Sequence, residues 1–162
     1  MVSHRSRPAR YAGRVQIQVR PLRAEELDAA LPLIAGYQRF YLAEPDDERN
    51  RRFFARFLEP SEDGLFLGAW EGDTLVGFAT LYWMFSSTVA AEIVLMNDLF
   101  VLSDRRGKGI GRALIEASRD VARARGADHL EWFTATDNHT AQRLYDSTGA
   151  SRSEWVAYEL EP

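Results

Sequence analysis

The sequence predicts a mixed α/β (α+β) domain on one central sheet, with elements in the order βααβββαβαβ. Three observations lead there. Apolar runs at Leu65–Trp70 and Thr74–Met84 flank Glu71-Gly72-Asp73, a hairpin signal. The apolar run Ile93–Val101 enters a glycine-rich loop, Arg106–Gly111, and then a stretch with Ile110, Ala113, Leu114, Ala117, Val121 and Ala124 at helical spacing. A further strand run, His129–Thr134, follows that helix and completes a βαβ unit. Hairpins first and βαβ afterwards make the sheet mixed.

Each element has its own signal. Val15–Arg20 reads as the first strand, ended by Pro21. Ala24–Tyr41 is helical, because Leu27, Leu31, Ile34 and Tyr37/Gln38 recur on one face. Pro45 opens a short second helix through Phe53, Phe54, Phe57 and Leu58, with Asp46, Asp47 and Glu48 in the first turn, where acids suit the helix dipole. The hairpin follows, then a loop over Ser86–Ala91 and the long strand. The helix after the glycine loop runs to Arg125 and is capped by Gly126. Thr140–Thr148 forms a short helix behind Asn138, and Glu154–Leu160 reads as a last strand.

The glycine loop carries most of the functional information. Glycine in a helix costs about 1 kcal/mol relative to alanine, so Gly107, Gly109 and Gly111 oppose local stability. They are explained if a ligand approaches the backbone closely. A helix N-terminus offers unpaired N–H groups and partial positive charge, to which Arg105, Arg106, Lys108 and Arg112 add full charges. That suits a pyrophosphate. It is not a P-loop, since Lys108 is followed by Gly109 rather than Ser or Thr. Nor is it a dinucleotide fingerprint, for the spacing is GxGxG and too little chain follows it. Taken alone, the loop also reads as an Arg/Gly-rich surface turn.

The 162 residues, 46% of them hydrophobic, suffice for one globular domain, assigned to residues 15–162. No cysteine is present, which excludes disulfides, thiolate metal sites and a covalent cysteine mechanism. Residues 1–14 form a basic tail, expected to be flexible, without the apolar stretch of a secretory signal, and no apolar run approaches the roughly 20 residues of a membrane span. A cytoplasmic protein is expected. Residues 1–23 hold six arginines and no acid, which leaves fourteen basic against 24 acidic residues elsewhere. The body of the chain after residue 23 is therefore near −10, although the chain as a whole is −4. That charge disfavours nucleic acid and favours a cationic small molecule. His129 and His139 lack metal-ligand spacing with Asp137, so no metal is expected.

Three motifs together resemble the GNAT N-acetyltransferases, which use acetyl-coenzyme A. Arg106, Gly109 and Gly111 match the family's Gln/Arg-x-x-Gly-x-Gly/Ala loop. Asp98-Leu99-Phe100-Val101 matches the strand before it, and Asn138, Ala141, Leu144, Tyr145 and Gly149 match a later helix. Element order agrees over roughly residues 15–160. Val101–Asp104, Gly149-Ala150 and the Trp155, Tyr158, Leu160 ending look like the diamine (spermidine/spermine) acetyltransferases. Tyr37-Gln38-x-Phe40-Tyr41 looks like the small histone/polyamine/amino-acid type.

The resemblance implies a sheet splayed at the acetyl-CoA strand. The pyrophosphate would lie on the amides of Arg106, Gly107, Lys108, Gly109, Ile110 and Gly111, with Arg112 beside it. The pantetheine arm would pair like a strand with Leu99, Phe100 and Val101, and Asn138 and Ala141 would touch it from the other side. Homodimers are common in the family, and the last strand is a possible contact.

The chemistry adds constraints of its own. An amine with a pKa near 10.4 is only about one part in two thousand neutral at pH 7, a handicap of roughly 4–5 kcal/mol. A base must relieve it, and the oxyanion formed on attack needs a donor such as a backbone N–H. Tyr145 is the expected acid for the thiolate, uphill by about 2 kcal/mol unless its phenol is acidified. Asn97 stands where diamine acetyltransferases usually carry Glu, and an amide can only orient a water or the substrate. Asp98 and Glu92 remain as bases, on one face of the strand by alternation unless a bulge intervenes, and working through a water. Tyr37, Tyr41, Asp46 and Trp83 are the candidate substrate contacts, since aromatics and acids suit a cation.

The expected reaction is direct acetyl transfer from acetyl-CoA to an amine, with polyamines or amino acids as leading acceptors. The alternatives are a protein lysine or N-terminus as acceptor, or a non-catalytic acyl-CoA sensor.

Overall fold

The computed structural model describes residues 16–59 and 61–162. The basic tail, Val15 and Pro60 lie outside the described residues.

The chain forms β1 (Ile17–Pro21), α1 (Leu27–Phe40), α2 (Asp47–Phe54), β2 (Gly64–Glu71), β3 (Thr74–Ser86), β4 (Ala91–Val101), α3 (Ile110–Arg125), β5 (Leu130–Glu131) and α4 (His139–Asp146). Strand order in the sheet is β1-β2-β3-β4-β5. The first four strands are antiparallel, and β5 joins β4 in parallel after the α3 crossover. The sheet is mixed, as expected. Two elements differ from the sequence reading. The strand expected at His129–Thr134 shrinks to two residues, and Glu154–Leu160 forms no strand at all.

Alternation along the strands sorts two cores. Phe66, Trp70 and Phe78 face α1 and α2, where they meet Leu31, Ile34, Phe54 and Phe57. Leu65, Leu67, Val76, Val94 and Met96 face α3 and meet Ile110, Leu114 and Ile115. The phase slips once within β4. Thr80 of β3 opposes Asp98, but Leu81 opposes Met96, so Asn97 is the extra residue of a β-bulge. Residues on either side of it therefore change faces relative to a regular count.

The entry to α1 is fastened electrostatically. Glu26 accepts two bonds from the Arg20 guanidinium and one from Arg23 at 2.7 Å each, plus the Arg23 backbone N–H at 3.0 Å. The Arg20 side chain holds the Glu26 carboxyl far below the usual glutamate range, against the opposing effect of burial. Arg20 in turn lies 4.5 Å from the centre of the Trp70 ring. Charge-assisted bonds of this kind are worth about 1.5–3 kcal/mol, and Glu26→Gln is expected to lose an amount of that order in urea unfolding at pH 7. A depressed pKa stabilises above the unfolded value near 4.3 and loses that contribution as pH falls through the folded value. The gap between variant and parent should therefore shrink in acid.

Candidate active site

Where β4 ends, the chain makes a 3-10 turn at Ser103–Arg105 and reaches the glycine loop. Gly107 and Gly109 take φ of 75° and 84°, with open space where a Cβ would be. These two are needed for their backbone, since a left-handed conformation costs other residues about 1–2 kcal/mol. Gly111 serves a different end: a Cβ there would come within 2.9 Å of Leu144 Cδ2, so glycine lets α3 lie against α4. The first backbone bond of α3 runs from Ala113 N–H to Gly109 C=O, 3.0 Å, and the amides from Gly107 to Arg112 find no backbone carbonyl among the described residues. A row of bare donors at the positive end of a 16-residue helix is what a phosphate needs.

The sheet opens beside this loop. β5 pairs with β4 only at Val94 and Leu95, so β4 from Met96 to Val101 has no neighbour on that side. Leu102 N–H bonds to Val76 C=O on β3, and by alternation Leu99 and Val101 turn their N–H and C=O outward into the opening. A cleft of about 530 Å³ occupies the gap. Leu99, Phe100 and Val101 form its floor, Arg106, Gly107, Gly109, Ile110, Gly111 and Arg112 one end, and Asn138, Ala141 and Tyr145 of α4 a wall. Tyr37, Phe40 and Tyr41 close it from the end of α1, and Thr140 and Leu144 of α4 add to the wall; Phe40 and Leu144 carry the resemblance without a site role, and Thr140 is not singled out by the sequence.

Several of these groups already have partners. Arg106 Nε donates to Val101 C=O at 3.0 Å, and Arg112 donates to Ser147. Arg105 is tied to Glu71 at 2.7 Å. Asn138 caps α4 by accepting the Ala141 N–H at 3.2 Å. Lys108 is exposed and is not part of the cleft lining.

The Tyr145 ring packs edge-on against Trp132, with centroids 5.4 Å apart. Burial pushes its phenol up to about 12, with the nearby Tyr41 adding to the effect. No acidification is present, so Tyr145 stays a hydrogen-bond donor at all working pH values.

The bulge decides which carboxylate stands near the cleft. Asp98 faces α1 and is only 4% exposed, across the ladder from Thr80 and beneath Tyr37. Burial raises its pKa above the ordinary aspartate value, partly offset by Tyr37, Thr80 and Asn97. Asn97 Nδ2 donates to Asp98 Oδ1 at 3.1 Å and to the Tyr82 hydroxyl at 3.3 Å. Tyr82, missed from sequence because it reads as plain strand, is held by a stacked contact with Phe57 at 4.9 Å.

Three expected site residues are elsewhere. Glu92 faces α3, where Arg125 grips it with bonds of 2.7 and 3.0 Å and holds its carboxyl below the usual glutamate value. Trp83 lies on that same side: the Arg125 guanidinium sits 4.0 Å from its ring centre, and its indole N–H donates to Ser61 C=O at 3.3 Å. Asp46 is the N-cap of α2, accepting the Arg49 N–H at 2.8 Å. Glu92→Gln is thus expected to leave amine acetylation within about twofold of the parent, and to cost at most about 1 kcal/mol in thermal or urea unfolding.

Comparison with known proteins agrees with this geometry. The family model described as acetyltransferase (GNAT) family matches residues 30–150. An uncharacterized N-acetyltransferase of Bacillus subtilis, YhfO, is 33% identical over 133 residues, covering 82% of this chain and 89% of that protein. The D-amino-acid N-acetyltransferase HPA3 of Saccharomyces cerevisiae is 32% identical over 146 residues, covering 89% of this chain and 90% of its own. A crystal structure of a probable acetyltransferase superposes with a TM-score of 0.77 at 29% identity, over 91% of this chain and 97% of that one.

Proposed function

This chain belongs to the GNAT acetyltransferase family, and we propose that it moves acetyl from acetyl-CoA directly to the amine of an amino acid or polyamine. The opening of β4 from β5 beside the bare N-terminus of α3 is the observation that carries this reading. The residues present fit acetyl-CoA. The amides of Gly107–Gly111 would hold its pyrophosphate, the expected Arg106 N–H being turned to Ser103 C=O at 3.4 Å, and the outward backbone of Leu99 and Val101 its pantetheine arm. When bound there, acetyl-CoA supplies an activated acetyl thioester.

The chain's own groups then have distinct tasks. An outward N–H of Leu99 or Val101 can stabilise negative charge on the carbonyl oxygen of the donor. Tyr145 donates a hydrogen bond to the departing sulfur. With its phenol near 12 against about 8.5 for a thiol, it keeps its proton and stabilises the charge growing on sulfur as a hydrogen-bond donor. Asp98 is too buried to touch a large acceptor, so it acts on the amine through a water, and its raised pKa makes it a better base than an exposed aspartate. Asn97 orients the carboxylate. Tyr37, Tyr41 and Phe40 line the acceptor end with aromatic surface, which suits an ammonium group. Two relatives support a small acceptor: HPA3 by its name acts on D-amino acids, and the mouse protein 31% identical over 98 residues is a thialysine N-epsilon-acetyltransferase.

Release of free thiol from acetyl-CoA against a panel of amino acids, polyamines, aminoglycosides and peptides tests the proposal. Amine-dependent release well above hydrolysis is expected with the first two classes. Tight binding without amine-dependent release would favour a sensor, and release only with peptides a protein acceptor.

A further inference from the structure

The buried polar side chains among the described residues are Asn50, Thr80, Asp98 and Ser118. Asn50 and Gln38 exchange two amide bonds at 2.8 and 2.9 Å, and Ser118 donates to Leu114 C=O at 2.8 Å. Asp98 accepts from Asn97. The Thr80 hydroxyl is enclosed without a formed hydrogen bond, as is the Trp70 indole N–H. Trp70 lies among apolar side chains, but Thr80 stands beside a carboxylate. Buried polar atoms ordinarily have partners. Packing does not account for this hydroxyl, because valine has the same branched shape and suits a strand equally well.

Its neighbour does account for it. Thr80 and Asp98 are directly opposed across β3 and β4, which brings their Cβ atoms to about 4.5–5.5 Å. Around the Asp98 carboxyl stand Tyr37 and Tyr41 from α1, Tyr82 from β3 and Asn97 from the bulge. Among the described residues, the groups that favour its charged form are all neutral: the hydroxyls of Tyr37 and Thr80 and the amide of Asn97. Asn97 Nδ2 can only donate. A threonine hydroxyl donates to a carboxylate and can equally accept from a protonated carboxyl.

We propose, resting on the reading of Asp98 as base, that Thr80 is its positioning residue: the hydroxyl donates to the Asp98 carboxylate before reaction, and turns to accept from the carboxyl once the amine's proton has arrived through the water. Rotation of one hydroxyl serves both protonation states. Neither backbone has to move, and the carboxyl keeps its enclosed place. A bond to the charged form favours that form, so loss of the hydroxyl should strengthen the hold of Asp98 on a proton.

Thr80→Val removes the hydroxyl and keeps the shape, and Thr80→Ser restores the hydroxyl. Carbon-13 NMR follows the titration of the Asp98 carboxyl in the full chain without acetyl-CoA or amine, its signal identified by its loss in Asp98→Asn. The midpoint should move up in Thr80→Val and return in Thr80→Ser. The ratio of variant to parent kcat/KM then cancels the titration of the amine itself. For Thr80→Val the deficit should deepen to about fivefold as pH falls, the worth of one ordinary hydrogen bond, and close as pH rises. Thr80→Ser should follow the parent throughout. An unmoved midpoint in Thr80→Val overturns the proposal, as does a rate loss equal at every pH or shared by Thr80→Ser. A moved midpoint in a chain that acetylates no amine would uphold the Thr80–Asp98 bond and count against the proposed activity instead.

Discussion

Asp98→Asn is expected to lower kcat/KM for amine acetylation by about 10²-fold or more and, at the same time, to raise the melting temperature. The activity loss follows from the proposed base role, since an amide cannot take a proton and general-base contributions run to about 10²–10⁴. The stability gain follows from burial. Asp98 is almost wholly enclosed, and its pKa is raised because the charged form is poorly solvated. A carboxyl whose folded pKa lies above its unfolded value binds protons more readily when folded, so it weakens the fold as pH climbs past the unfolded value. Asparagine keeps the shape and removes that cost. The gain should thus be present at pH 8 and vanish in acid, where the parent carboxyl is protonated. A variant both slower and less stable at pH 8 would mean that Asp98 is a structural anchor rather than a strained base. The acid limb of the pH–rate profile should also flatten in the variant.

Tyr145→Phe is expected to lower kcat by about 10²–10³-fold while leaving acetyl-CoA affinity and melting temperature nearly unchanged. The ring packs on Trp132 and lines the cleft, and phenylalanine preserves both contacts. What is lost is a donor. Because burial pushes the phenol up to about 12, the parent should show no loss of activity from Tyr145 ionisation below pH 10. Calorimetric titration with acetyl-CoA separates the two effects: a large drop in affinity would assign Tyr145 to binding instead of to the departing thiolate.

The part of the molecule that sequence describes best is β4, the loop and α3. There the apolar period changes from two to 3.6 across three glycines, and the structure places the element ends close to that change. The cleft walls follow, because Leu99, Val101, Arg106 and Gly109 are held by the same unit. The facing of the carboxylates was not legible. Alternation puts Glu92 and Asp98 together, but the extra residue Asn97 inverts the phase and sends Glu92 to Arg125. A bulge arises from pairing with β3 and leaves no local trace. Asp46 shows a second kind of ambiguity, for an acid before a helix looks the same in sequence whether it caps the helix or meets a cation. Glu154–Leu160 shows a third. Its pattern is that of a strand, but a strand exists only beside a partner edge, and local sequence carries no information about where that edge is.

The gap between β4 and β5 would tie the folding of this chain to its proposed ligand. With acetyl-CoA held as proposed, the amides of its pantetheine arm would take the place of the hydrogen-bonding neighbours that the polypeptide omits along the bare edge of β4. A ligand that binds only the folded state stabilises it by about 2.7 kcal/mol at a hundred times its Kd. Cells poor in acetyl-CoA would then hold a looser, more readily proteolysed population, and well-fed cells a durable one. Abundance would track supply through turnover alone, without a dedicated regulator.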